Sequence, residues 1–406
     1  MSYPSYPPYP SPLDPFAPPP RRRAGLVWLV AVAVVVVLVV TGFVVVAVRS
    51  TPRPAASPPS APTRTGTAAT SWVPPCDEQD EDRVTGPHTG NASAGDPYLC
   101  WAGGLGYDAL SYDVAVRVNP TTAHISGHAE VVVRLTEAVD AVHLDLLLPA
   151  SAVTVDGTPA RFVHDGLDLA VDVDARVGEE VTIGVDYAGV PSIESIMGNA
   201  VHHEGNELLL ADQPVGAVTW VPMNAHPSDP ALFRAEVSVP AGMEAISVGR
   251  LVSHGPDPGA PGRDLWVWEP DEPVIGYTVM LAVGHYVLDG PREVKVGGRT
   301  VQYLAAAPAS HADPQATLDW LGLSVRAADE LTRFAGDYPL SSLGGLVPPM
   351  YVPWALETHG RPVYTSGFMD QGEDRVITHE LAHFWFGDTV TLAAQRDIVI
   401  NEGLAS

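Results

Sequence analysis

His379-Glu380-Leu381-Ala382-His383, with Asn401-Glu402-Gly403 further along, decides how the rest of the 406-residue chain is read. In a helix, residues four apart project from one face, so both imidazoles reach a single ion. Glu380 is offset by one position and is placed to hold a water that the ion polarises. Zinc brings the pKa of bound water to about 7, so a carboxylate beside it acts as a base at neutral pH. Two helix histidines beside a surface glutamate are the bland alternative. That alternative loses ground because Glu402 stands on the next helix, where a third ligand is required. The residues therefore predict one zinc ion per chain, held by His379, His383 and Glu402, with Glu380 as general base. Two other zinc arrangements are excluded. Phe386 and Thr389 occupy the positions where a Gly and a third His would extend the motif, and the inverted His-x-x-Glu-His order is absent.

Upstream, the chain changes rhythm. From Tyr107 to about Val301 apolar residues alternate with polar or small ones, as in Val114, Val116 and Val118, Leu144 and Leu146 around Asp145, and Val181, Ile183 and Val185. Turn pairs such as Asp156-Gly157 and Asp165-Gly166 separate these runs, which predicts a mostly antiparallel β-domain over residues 105–303. Beyond Pro308 the spacing becomes helical. Leu318, Leu321, Val325, Ala328, Leu331 and Phe334 predict one helix that starts at Asp313-Pro314 and is ended by Tyr338-Pro339. Leu346–Tyr351 reads as a short buried strand. Further helices are expected from about Asp374 through Trp385 and from about Leu392 to the end, all within residues 304–406. The fold class is thus α+β, strands first and helices after.

The N-terminal part is of another kind. Residues 1–23 repeat Pro with Tyr and Ser and form a solvated tail. Residues 24–48 carry no charge, and at roughly 1.5 Å per residue they cross about 30 Å of hydrocarbon. The run is longer than the core of a cleaved signal peptide, so it is expected to be a transmembrane anchor. Arg21, Arg22 and Arg23 place the N-terminus inside the cell membrane and the remainder outside. Residues 49–104, rich in Pro, Ser and Thr at their start, read as a linker. Within it Cys76 and Cys100 are candidates for a disulfide, and no Cys-x-x-Cys metal spacing exists. Asn91-Ala92-Ser93 matches a glycosylation sequon. A formal charge of −26 excludes nucleic acid as a partner, because phosphate binding needs a dense basic surface.

Taken together, His379-Glu-Leu-Ala-His383, Phe384-Trp385-Phe386-Gly387-Asp388, Arg396-Asp397 and Asn401-Glu402-Gly403-Leu404-Ala405 resemble the M1 family of metallopeptidases. Gln213-Pro214, Trp220-Val221-Pro222, His226-Pro227 and Gly276-Tyr277 extend the resemblance upstream. It implies a saddle-like β-domain followed by a thermolysin-like catalytic domain, and hydrolysis of N-terminal residues from peptides with a free amine. The family's Gly-Ala-Met-Glu-Asn motif corresponds to Trp354-Ala355-Leu356-Glu357-Thr358, which keeps the alanine and the glutamate. Glu357 is thereby implied to grip the substrate's amine, and Gln213 to be a second amine-binding group. Asp397 is expected either to orient a zinc ligand from behind or to cap its helix or lie at the surface. The alternatives are a zinc endopeptidase and an inactive binding or scaffold protein. The family's catalytic domain continues beyond the point matched by Ser406 and supplies an oxyanion-stabilising tyrosine there. The expectation is therefore a truncated chain, weakly active, with the apolar Phe384, Trp385 and Ile398 exposed.

Overall fold

A computed structural model describes residues 71–72, 92–195, 198–214, 216–372 and 374–406. The tail, the apolar 24–48 segment, Cys76 and Asn91 lie outside these residues. Among the described residues, no helix is long and apolar enough to cross a membrane.

The alternating runs build one eight-stranded sheet. Its members are β1 (Tyr107–Asn119), β2 (His124–Leu135), β3 (Ala150–Val155), β4 (Thr158–Pro159), β5 (Glu180–Gly189), β6 (Leu232–Pro240), β7 (Arg250–Pro256) and β8 (Arg263–Glu269). The spatial order is β7-β8-β6-β1-β2-β5-β3-β4. In β1 the period of two is visible in the burial. Val114, Val116 and Val118 face the core, whereas Asp113, Ala115 and Arg117 face out. The pairing is antiparallel apart from β1 with β6, which run parallel. A parallel pair needs a long crossover, and the excursion between β5 and β6 supplies it. Smaller sheets pack into the same core: the strand Val201–Glu204 lies within that excursion, whereas the fully buried Ala141–Asp145 lies between β2 and β3.

Alternation misplaces Asp145. It was expected to face away from Leu144 and Leu146, yet it is buried with them. Its Oδ2 accepts N–H groups from Gly103 at 2.7 Å and Ala225 at 3.0 Å. Composition likewise misplaces the end of the linker. Leu99 and Ala102 are core residues, and Ser71–Trp72 pairs with Ile193–Glu194.

The second layer is a five-stranded sheet made of β9 (Tyr286–Val296), β10 (Arg299–Pro308), β11 (Ser342–Leu346), β12 (Ala355–Leu356) and β13 (Val363–Tyr364), in the order β9-β10-β11-β13-β12. The buried strand thus lies before the expected Leu346–Tyr351. Pro348 and Pro349 have no N–H to give a ladder, so the strand ends at Leu346. Helices α1 (Pro314–Leu321), α2 (Leu323–Ala335), α3 (Ser366–Gln371), α4 (Arg375–Ala382) and α5 (Ile398–Ala405) complete this part. Asp313 caps α1 as expected, its side chain accepting from the Ala316 N–H at 3.1 Å.

The single helix expected over this region is two helices, divided at Gly322. The second stops at Gly336, whose φ of +92° no other residue adopts easily, before Tyr338-Pro339 is reached. Phe334 consequently lies outside the apolar stripe and is 88% exposed.

Arg361 ties the two sheets together. Its guanidinium is fully buried and donates to the carbonyls of Leu304 on β10 and of Ser247 and Gly249 before β7, and it stacks over Trp268 of β8 at 4.7 Å. Burial holds its pKa down to about 9.

Candidate metal centre

The helix α4 presents His379 within its last turn, and His383 follows as the C-terminal capping residue, still in helical conformation. The expected continuation to Trp385 is a tightened turn instead. The N–H groups of Phe384 and Trp385 reach back three residues, to Leu381 and Ala382 at 3.2 Å. This turn drives Phe384 and Trp385 into the core, contrary to the expectation that they are exposed. Trp385 donates to the Asp337 carbonyl at 2.9 Å and meets Tyr338 edge-on. On α5, the apolar residues left in solvent are Val399, Ile400 and Leu404.

Glu402 reaches the two imidazoles from α5. The Nε2 atoms of His379 and His383 are 3.2 Å apart, and Oε2 of Glu402 lies 3.5 Å from the first and 3.7 Å from the second. Tetrahedral ligands at zinc distances stand about 3.3 Å apart, so this triangle has the right size. Two imidazoles and one carboxylate, with no thiol or carbonyl, are the donors of a zinc centre that keeps a position open. The hydrogen bond to Glu402 raises the pKa of His379, and the same contact lowers that of Glu402.

Glu380 and Glu357 close the other side. Both are buried, and with His383 they bring donor atoms within 4.8 Å of one another. Burial, then the charges of Glu357 and Glu402, push the Glu380 carboxyl well above the ordinary range. Oε1 of Glu357 is buried without a hydrogen-bond partner. Trp354, which stands where the family motif has glycine, packs edge-on against His202 at 5.6 Å. Gln213 is half-buried with Nε2 unpartnered, and no described hydrogen bond joins it to the metal cluster.

Asp397 stands at the N-terminal cap of α5 and its side chain makes no capping bond. The residue behind His383 is Asn401 instead. Oδ1 of Asn401 accepts from Nδ1 of His383, and Nδ2 donates to the Tyr277 hydroxyl at 3.2 Å. Gly387 makes room for this contact, since a Cβ there would fall 2.7 Å from Oδ1 of Asn401. The third helix also begins later than expected, as a 3-10 turn over Gln395–Asp397 that leads into α5. Of the two cysteines, Cys100 is disulfide-bonded, and Cys76 falls outside the described residues.

These features agree with what known proteins show. A sequence profile of the Peptidase family M1 domain matches residues 332–406. The solved M1 zinc metallopeptidase of Deinococcus radiodurans is 30% identical and superposes with a TM-score of 0.69, over 77% of this chain and 72% of that one. A mutant of that enzyme, 29% identical to this chain, was solved bound to a Tyr-Ser-Ala substrate. Aminopeptidase M1-B of Oryza sativa subsp. japonica is 26% identical over 330 residues, which are 73% of this chain and 36% of that protein. Probable aminopeptidase 1 of Sulfurisphaera tokodaii is 26% identical over 283 residues, 65% of this chain and 34% of that protein. The chain belongs to peptidase family M1. It spans about a third of the length of these curated relatives.

Proposed function

We propose that this chain removes N-terminal residues from peptides, as a zinc aminopeptidase. The observation that carries the reading is the placement of Glu357, buried and with one oxygen unpaired, beside Glu380 and His383. A carboxylate so near the general base leaves room for one residue between a bound ammonium and the scissile bond. His379, His383 and Glu402 would hold the zinc, which would supply Lewis-acid polarisation of the carbonyl and of a water. Glu380 takes the proton of that water and returns it to the departing amine nitrogen. Glu357 binds the substrate's ammonium, and Gln213 offers Oε1 to the same group.

Zinc-loaded protein offered aminoacyl fluorogenic substrates, free or N-acetylated, tests the reading. Turnover of the free amines alone, lost in Glu380→Gln, is the expected result. Equal cleavage of blocked peptides at internal bonds points to an endopeptidase. Zinc binding with no turnover points to a binding protein.

Residues 24–48 are proposed to anchor the protein in the cell membrane, with the tail cytoplasmic and the zinc centre outside. Their uncharged apolar length and the preceding arginines support this. Protease added to intact cells is expected to remove the zinc-bearing part and to spare the tail. Survival of that part after such treatment speaks against the orientation.

A further inference from the structure

We infer that Asp96 is a positioning residue for the third zinc ligand, acting through the backbone N–H of Gln395. Asp96 lies in the segment that leads into β1, and its side chain is fully buried. Oδ1 accepts the N–H groups of Tyr98 at 2.7 Å and Leu99 at 3.1 Å, which fixes the local turn. Oδ2 accepts the N–H of Gln395, the first residue of the turn that opens into α5. It also receives Nε2 of His226 at 3.4 Å. Nδ1 of His226 accepts the Ser228 N–H at 3.3 Å, so Nε2 carries the proton and donates.

The helix that receives this contact needs it. Val399, Ile400 and Leu404 face solvent, so α5 buries little apolar surface of its own. Among the described residues its inward ties include Asn401, which meets His383 and Tyr277, the buried Ala405, Glu402 against the two imidazoles, and the turn before it, held by Asp96. Groups that orient ligands from behind typically change metal affinity 10–100-fold when removed. Asp96 acts one step further back, by setting where α5 begins and hence where Asn401 and Glu402 arrive.

Two substitutions in the full chain isolate this contact. Asp96→Asn keeps the shape but turns an amide toward two donors. Gln395→Pro removes the N–H together with a side chain for which no hydrogen bond is described. Proline suits the first position of a helical turn, and Ala394 before it is already extended at φ −160° and ψ 153°. Zinc affinity is measured by chelator competition, ligand geometry by the absorption of the Co²⁺ form, and apo-protein stability by urea unfolding. Each variant is expected to bind zinc about tenfold more weakly and to shift the Co²⁺ bands. The double variant should bind no more weakly than the worse single one, because both remove the same contact. Should Asp96→Asn fail to fold, Gln395→Pro decides alone. Zinc affinity within twofold of the parent in Gln395→Pro overturns the inference, as does multiplication of the two losses in the double variant. The inference rests on the zinc assignment. A parent chain that binds no zinc overturns both, whereas a parent that binds, with variants that bind equally well, overturns only the role of Asp96.

Discussion

Nδ1 of His383 donates to Oδ1 of Asn401, the residue next to Glu402, so one proposed ligand is oriented by the immediate neighbour of another. The helix that delivers the carboxylate therefore also sets the tautomer of the imidazole, leaving Nε2 free for the metal. Asn401→Ala is expected to weaken zinc binding about 10–100-fold. Asn401→Asp keeps an acceptor toward Nδ1 and should recover most of the loss. Competition against a chelator of known affinity reads both.

The ligands themselves should behave more severely. His379→Ala, His383→Ala and Glu402→Ala each remove one of three protein donors and are expected to leave the purified protein without stoichiometric zinc. Glu380→Gln should retain the metal and lose hydrolysis. Metal content by mass spectrometry, read beside peptide turnover, separates the two classes. Full zinc occupancy in a His379→Ala/His383→Ala double variant would refute the assignment.

Arg361 offers a test of stability away from the centre. Arg361→Met leaves the carbonyls of Leu304, Ser247 and Gly249 buried without donors. At about 1–3 kcal/mol for an unsatisfied buried group, a loss of 3 kcal/mol or more is expected. Arg361→Lys has one compact donor head for three divergent acceptors and should recover only part of it. Urea unfolding midpoints provide the measurement.

Asp145 predicts a pH dependence. Its folded pKa is pushed up to about 7, by burial first, against the N–H groups of Ala225 and Gly103, which pull it down. The unfolded value is 3.8, so between those two values the native state holds a proton that the unfolded chain has released. This group's contribution to stability is therefore greatest below pH 4 and falls as pH rises toward 7. In Asp145→Asn the amide oxygen can accept the same two N–H groups without carrying a charge. The variant should be more stable than the parent at pH 8, and its stability should vary less between pH 5 and 8. A parent and variant with parallel profiles would contradict this account.

How far these features were legible in the sequence depends on the range of the interaction that creates them. His379, Glu380 and His383 repeat at the helical period, and the strands of the large sheet repeat at two, so local spacing reveals them. Asn401 was quoted only as a neighbour of Glu402, because its role depends on Gly387 letting the chain come close. Asp145 broke its alternation because two distant N–H groups meet it in the core. Helix ends were misread where glycine outranked proline, at Gly322 and Gly336, and the strand at Leu346 ended where prolines began. Asp96 gave no sign of its tie to α5, since His226 and Gln395 lie far along the chain.

The parallel seating of β1 against β6 has a consequence in time. On a ribosome adding roughly 5–20 residues per second, β1 emerges long before the strand that must lie beside it. It can pair at once with β2, through the short turn that joins them. Its other edge, from Ser111 to Arg117, waits for residues 232–238 and stays open to unwanted strand partners meanwhile. The residues proposed to hold zinc emerge later still. Nascent chains halted before β6 should therefore be the aggregation-prone ones, while those halted after β8 should be soluble yet unable to capture metal.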